Sequence, residues 1–330
     1  MSELLANVIR GGIVESKHRG TIVVVNNKGK ILYHRGYPHV NTFIRSAAKP
    51  MQAINVILCG AHEYYNLNKK EIAIMCASHF GEKIHRNVIK KLLKKIGLNK
   101  KDLKCGITTS RKKELALKMA YKGVKKSQLL SDCSGKHCGF LAVCKMLNYD
   151  ISNYLSKNHP VQKKIIKLIS KITKTKLKKI SVGIDGCSAP VFALPLYNMA
   201  LGYARLASSS FDGKKMKKAS KLIYESMIQY PEMISGSSGF CTKLIEKTDG
   251  DLIGKVGAEG IYCIGIKKKK IGIALKIEDG SFRAIPVIIF NILKKLDLLE
   301  KNQLKKLGEY QKKYILNDCN IKVGEILPAF

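Results

Sequence analysis

The sequence predicts a mixed α/β fold, with one antiparallel sheet built from strands at both ends of the chain and flanked by helices. Three observations carry that expectation. Val/Ile-rich runs open the chain, apolar residues recur at helical spacing through its middle, and short β-type runs return in its last third. No internal repeat or low-complexity linker interrupts the 330 residues. A single domain, 1–330, is therefore expected, with strand-forming parts at about 5–45 and 245–300 and a helical insertion at about 46–240.

The elements follow in order. Residues 6–35 read as an antiparallel meander, with Asn27-Lys28-Gly29 as a turn between two Val/Ile-rich strands. From Ser46 to about Tyr65 the pattern changes, and Met51, Ile54, Ile57 and Leu58 fall at helical spacing. Segments 84–96, 111–122, 131–147, 161–172, 192–207 and 215–229 also read as helices, and the run EIAIM before Cys76 reads as strand-like. LIGKVGA, GIYCIGI and IGIALKI are short strands, and the basic tract Lys267–Lys270 is a solvated hairpin tip. Ala284 to Leu298 reads as an amphipathic helix, and the charged segment after it is expected to pack peripherally.

Composition narrows the class. At 45% apolar the chain can bury a sizeable core, and no apolar run is long enough to span a membrane. The apolar stretch in MSELLANVIRGG is too short for a secretory leader, so a cytoplasmic location is expected. Ten cysteines without framework-like spacing then read as buried thiols, metal ligands or reactive groups rather than disulfides. The net charge of +36 raises nucleic-acid binding. The excess is nearly all lysine spread along the chain, and arginines suited to bidentate phosphate and base contacts are few, so no nucleic acid is expected as a partner.

Chemistry concentrates in short segments. Arg45-Ser46-Ala47-Ala48-Lys49-Pro50 opens a helix, which puts Ser46 and Lys49 on one face of its first turn. A serine needs a base to attack an amide at neutral pH, and a lysine made neutral by burial or nearby positive charge can be that base. Ser46 could equally be a helix cap. Ser131-Asp132-Cys133-Ser134-Gly135-Lys136-His137-Cys138 begins a second helix, where a thiol at the N-terminus is acidified. Cys187, in Gly186-Cys187-Ser188, sits on a strand exit where a second thiolate could converge on a metal. The third ligand is open between His137 and a neutral Lys136, against the alternative of plain buried cysteines. Cys76-Ala77-Ser78-His79 offers a serine and a histidine or merely a turn. Lys255-Val256-Gly257-Ala258-Glu259-Gly260 offers a lysine ahead of close-approach glycines or merely a surface lysine. Gly236-Ser237-Ser238-Gly239 is a loop that could cover a pocket.

Taken together and in this order, R-S-A-A-K-P, C-A-S-H-F-G-E, S-D-C-S-G-K-H-C-G-F, D-G-C-S-A-P and K-V-G-A-E-G resemble the motif series of the rhizobial-type L-asparaginases, the asparaginase II-like family, over roughly residues 5–300. That resemblance implies a serine β-lactamase-like fold, shared with penicillin-binding proteins and glutaminases, and hydrolysis of L-asparagine to aspartate and ammonia. It implies Ser46 as nucleophile with Lys49 as base, Ser78 and Lys255 as a second Ser–Lys pair, and Arg45, His137 and Asp185 as substrate or neighbouring contacts. It also implies one zinc ion held by Cys133, Lys136 and Cys187 with water, and a homodimer by analogy. In β-lactamase relatives a hydroxyl follows the strand lysine. Here Val256 stands in that place, so holding a substrate carboxylate falls to other groups.

Overall fold

The computed structural model describes residues 1–330. Its principal sheet has eight strands: β1 Glu3–Arg10, β2 Ile13–Asn26, β3 Ile31–Arg35, β7 Leu252–Gly257, β8 Ile261–Ile266, β9 Ile271–Ile277, β10 Lys313–Leu316 and β11 Lys322–Pro328. The order β10-β11-β1-β2-β9-β8-β7, with β3 also on β2, is antiparallel throughout. Both ends of the chain thus build one sheet. β2 is long because its two halves do different work. Residues 13–20 pair with β1, whereas 20–26 pair with β9 and hold Ile22–Val25 fully buried.

A second sheet joins β4 Asn41–Phe43 to β6 Pro190–Pro195 and β5 Ser181–Ile184, and the last two lie within the stretch expected to be helical. The helix expected from 192 begins only at Leu196, because Pro190–Pro195 pairs on both sides as the central strand. The EIAIM run is the body of a helix, Lys69–Met75. Asn68 accepts from the Glu71 amide while the Glu71 carboxylate accepts from the Asn68 amide, a capping box that overrides the β-like composition. The tail beyond Leu298 adds β10 and β11 to the sheet, so strand-forming residues extend to Pro328.

Helix Leu196–Ser208 lies directly on β8 and β9. The paired glycines Gly265 and Gly272 make this possible, since a Cβ on either would overlap the helix main chain at Tyr203 or Ala200. From that helix the Tyr203 hydroxyl donates to the Ala47 carbonyl at 2.7 Å. This anchors the turn Arg45–Ala48 and helix Lys49–Leu58, which is buried from Lys49 to Ile57 at the centre of the helical layer. Helix Ser134–Met146 packs on helix Lys69–Met75 at van der Waals distance, because a Cβ on Gly135 would overlap the Ile74 carbonyl. No helix is long and apolar enough to cross a membrane.

Candidate active site

Four segments meet beside the sheet: the turn at Arg45–Lys49, the loop after helix Lys69–Met75, the start of helix Ser134–Met146, and β7. Ser78 is where three of them touch. Its hydroxyl lies 3.0 Å from the Lys49 amine and 2.7 Å from the Lys255 amine. Lys49 also donates to the carbonyls of Ala77 (2.7 Å) and Asp132 (3.0 Å), and the Asp132 carboxylate is 3.6 Å away. Lys255 is fully buried and otherwise donates only to the Val256 carbonyl at 2.9 Å. Burial first, and repulsion from Lys49 second, lower its pKa to about 7. It is therefore a lysine that exchanges its proton near neutrality, in direct contact with a serine.

Ser46 is buried and has no side-chain hydrogen-bond partner; its hydroxyl does not bond to Lys49, which is turned toward Ser78. The preceding Arg45 has φ +50°, a conformation a non-glycine residue rarely adopts. Its guanidinium clamps the Asp185 carboxylate at 2.7 and 3.1 Å. Two cavities of about 280 Å³ each open here. One is lined by apolar residues including Phe80, Phe240, Val256 and Phe282, the other by polar ones including Arg45, Asp132, Asp185 and Cys187. Ser46, Arg111 and Ala258 line both, so the two are lobes joined at a neck, and Ser46 is the one serine shared between them.

Arg111 has no motif around it and sequence reading places it only at the start of a helix. In the structure it precedes helix Lys113–Tyr121 and donates to Asp132 at 2.9 Å. Burial pushes the Asp132 carboxyl upward, but Lys49 and Arg111 outweigh it and hold the group well below the usual carboxylate range. Arg45 is committed to Asp185, Lys49 and Lys255 to Ser78, and Lys136 to Cys187. Arg111 alone among the cations at the neck keeps most of its donors free. The nearest local signal is the pairing of an arginine with Asp132, which becomes visible only in three dimensions.

In the wall of the polar lobe Cys133 and Cys187 lie close enough to perturb each other, and the Lys136 amine donates to Cys187 Sγ at 3.0 Å. The neighbouring Cys133 first, and Lys136 after it, pull the Cys187 thiol down, against burial. Burial opposes the charge on Lys136, but the sulfurs of Cys133 and Cys187 outweigh it and keep the amine protonated. No set of three His, Cys, Asp or Glu side chains converges anywhere in the molecule. Here two sulfurs and an amine do, and with the Lys136 proton given up they are a donor set suited to a borderline-soft divalent ion such as zinc. His137 is fully buried and lines neither lobe. Its Nδ1 pairs with the Tyr154 hydroxyl at 2.7 Å, and its Nε2 lies beside Cys187 without a formed hydrogen bond. His79, also fully buried, pairs with Ser134 and the Gly81 amide and so braces the Ser78 loop from behind.

A search of curated protein sequences finds no match to this chain. Solved structures with a similar course include a candidate β-lactamase from Bacteroides dorei (11% identity, 84% of this chain and 93% of that one, TM-score 0.46). Others are a β-lactamase from Mycobacterium bovis (12%, 88% and 94%, TM-score 0.41) and a D-alanine carboxypeptidase from Burkholderia cenocepacia (12%, 88% and 92%, TM-score 0.38). The family model described as L-asparaginase II matches residues 6–328, nearly the whole length. With all five motif segments gathered at one cavity and that match spanning it, this chain belongs to the L-asparaginase II family of amidohydrolases.

Proposed function

We propose that the protein hydrolyses L-asparagine to L-aspartate and ammonia through an acyl-enzyme on Ser46. The observation that carries this reading is the position of Ser46 at the neck, in the same lobe as a serine held between two lysines, one of them titrating at about 7. Ser46 Oγ attacks the side-chain amide carbon. Its proton passes to Ser78, whose own proton goes to the neutral Lys255 amine. The Ser46 and Ala258 main-chain amides at the neck are the donors for the developing oxyanion. Lys255 and Ser78 then return the proton to the leaving nitrogen, and water hydrolyses the ester. Arg111 takes the substrate carboxylate in place of the hydroxyl that Val256 lacks. Asp185, oriented by Arg45, faces the substrate ammonium from the polar lobe.

A zinc ion would be held by Cys133, Cys187 and Lys136, with a water molecule. Bound there, it would supply a fixed positive charge beside the polar lobe. A homodimer is supported by the edge strand β5, which leaves Ile184 84% and Val182 40% exposed. Light scattering of the purified protein tests it.

A second reading, attack by Ser78, is favoured by its 2.7 Å contact with Lys255. Ammonia release from asparagine and glutamine, with intact-mass trapping of the acyl-enzyme, decides between them. Ser46→Ala should lower turnover about a thousandfold or more and abolish the adduct. An adduct that persists in Ser46→Ala and vanishes in Ser78→Ala makes Ser78 the nucleophile. No ammonia from asparagine with the intact chain overturns the asparaginase reading.

A further inference from the structure

The polar lobe already supplies an arginine and two carboxylates for an amino-acid head group. The apolar lobe on the other side of Ser46 is as large, and a small zwitterion has no use for it. Its walls are Phe80, Phe240, Val256, Tyr262, Phe282 and Ile285. Of the polar side chains that line it, the Tyr262 hydroxyl is buried against Gly254 without a hydrogen-bond partner, and the others are spoken for or belong to the neck. Ser235 is bonded to Thr242 at 3.0 Å, Ser78 to both lysines, and Ser46 and Arg111 face both lobes. A departing ammonia finds no free side-chain partner there beyond that buried tyrosine hydroxyl, whereas an apolar group would be desolvated on several sides.

Because Ser46 stands between the lobes, an amide whose acyl head occupies the polar lobe directs its nitrogen substituent into the apolar one. We propose that the apolar lobe is a leaving-group subsite, and that the enzyme cleaves side-chain amides of aspartate whose nitrogen carries an alkyl or aryl group. This rests on the asparaginase reading and extends its substrate class. The reaction balances as a hydrolysis. The Ser46 oxygen forms the acyl bond, the C–N bond breaks, and the amine leaves with the proton carried by Ser78 and Lys255. Water then yields L-aspartate and the free amine, R–NH2. Phe282, 43% exposed at the rim, closes the subsite and can be changed without opening the core.

The test compares L-asparagine with its N-methyl and N-butyl amides and the chromogenic L-aspartate β-(4-nitroanilide), using the full-length chain and Phe282→Ala. In the unaltered protein kcat/KM should rise from methyl to butyl to aryl, by roughly tenfold to a hundredfold, the yield of burying that much apolar surface. Phe282→Ala should flatten that rise while leaving asparagine turnover unchanged. Turnover of asparagine with no detectable cleavage of any substituted amide overturns the subsite. So does cleavage that is indifferent to the substituent and to Phe282. Cleavage of the substituted amides without turnover of asparagine upholds the subsite and replaces the parent reading's substrate. Inactivity on every compound overturns both.

Discussion

Lys255 and Lys136 are the same side chain at nearly the same burial, 0% and 4% exposed, on opposite sides of one cavity, yet their amines are driven in opposite directions. Burial disfavours the charge on both. Lys255 feels Lys49 as the strongest of its charged neighbours and falls to about 7. Lys136 has the sulfurs of Cys133 and Cys187 and rises above its ordinary value. Burial makes a lysine sensitive, and its neighbours choose the sign. One lysine is thereby fitted to move protons and the other to sit as a fixed partner of sulfur.

The comparison breaks most visibly at Lys255. Lys255→Met should cost about a thousandfold in kcat/KM, the range of a lost general base. In the intact protein kcat/KM should climb as pH rises through about 7 and level off above it, because below that value Lys255 is an ammonium and cannot accept a proton. Lys136→Met should instead abolish the zinc retention proposed for the sulfur pair, read by elemental analysis of the dialysed protein. It should lower kcat/KM by only about tenfold to a hundredfold, with the rising limb still near 7. A loss there as deep as that of Lys255→Met would erase the distinction between the two centres. Arg111→Ala should raise KM for asparagine about tenfold, the worth of one charged hydrogen bond, with kcat little changed. The smallest and most diagnostic effect is that of Lys49→Met. Without the neighbouring ammonium the rising limb should move to higher pH. A limb that stays at about 7 means burial alone sets the Lys255 value.

The two regions also differ in how much of them can be read from the chain. The meander, the three C-terminal strands and most helices follow from periodicity, and the five motif segments mark the cavity in advance. The pairing within it does not follow. Ser46 and Lys49 are helical neighbours by spacing, yet Lys49 bonds to Ser78, Ala77 and Asp132, partners delivered by other helices. Arg111 carries no local pattern because its meaning comes from Asp132, two elements away. EIAIM reads as strand-like from its isoleucines, and the capping box of Asn68 with Glu71 makes it a helix instead. Pro190–Pro195 becomes a strand only because β4 and β5 close on it from both sides. β10 and β11 lie in the tail read only as a charged peripheral segment; β11 takes its place by pairing with β1 and burying Ile326, and β10 by pairing with β11.

The missing side chain at Gly135 has a mechanical consequence. Helix Ser134–Met146 rests main chain to main chain on the segment that runs through Ile74 and ends at Ser78. The spacing between the sulfur pair and the proton-carrying serine is thus gauged by two peptide backbones in contact, with no compressible side chain between them. A shift of the helix start at Cys133 would therefore bear directly on the segment that ends at Ser78, with no side chain between them to take it up.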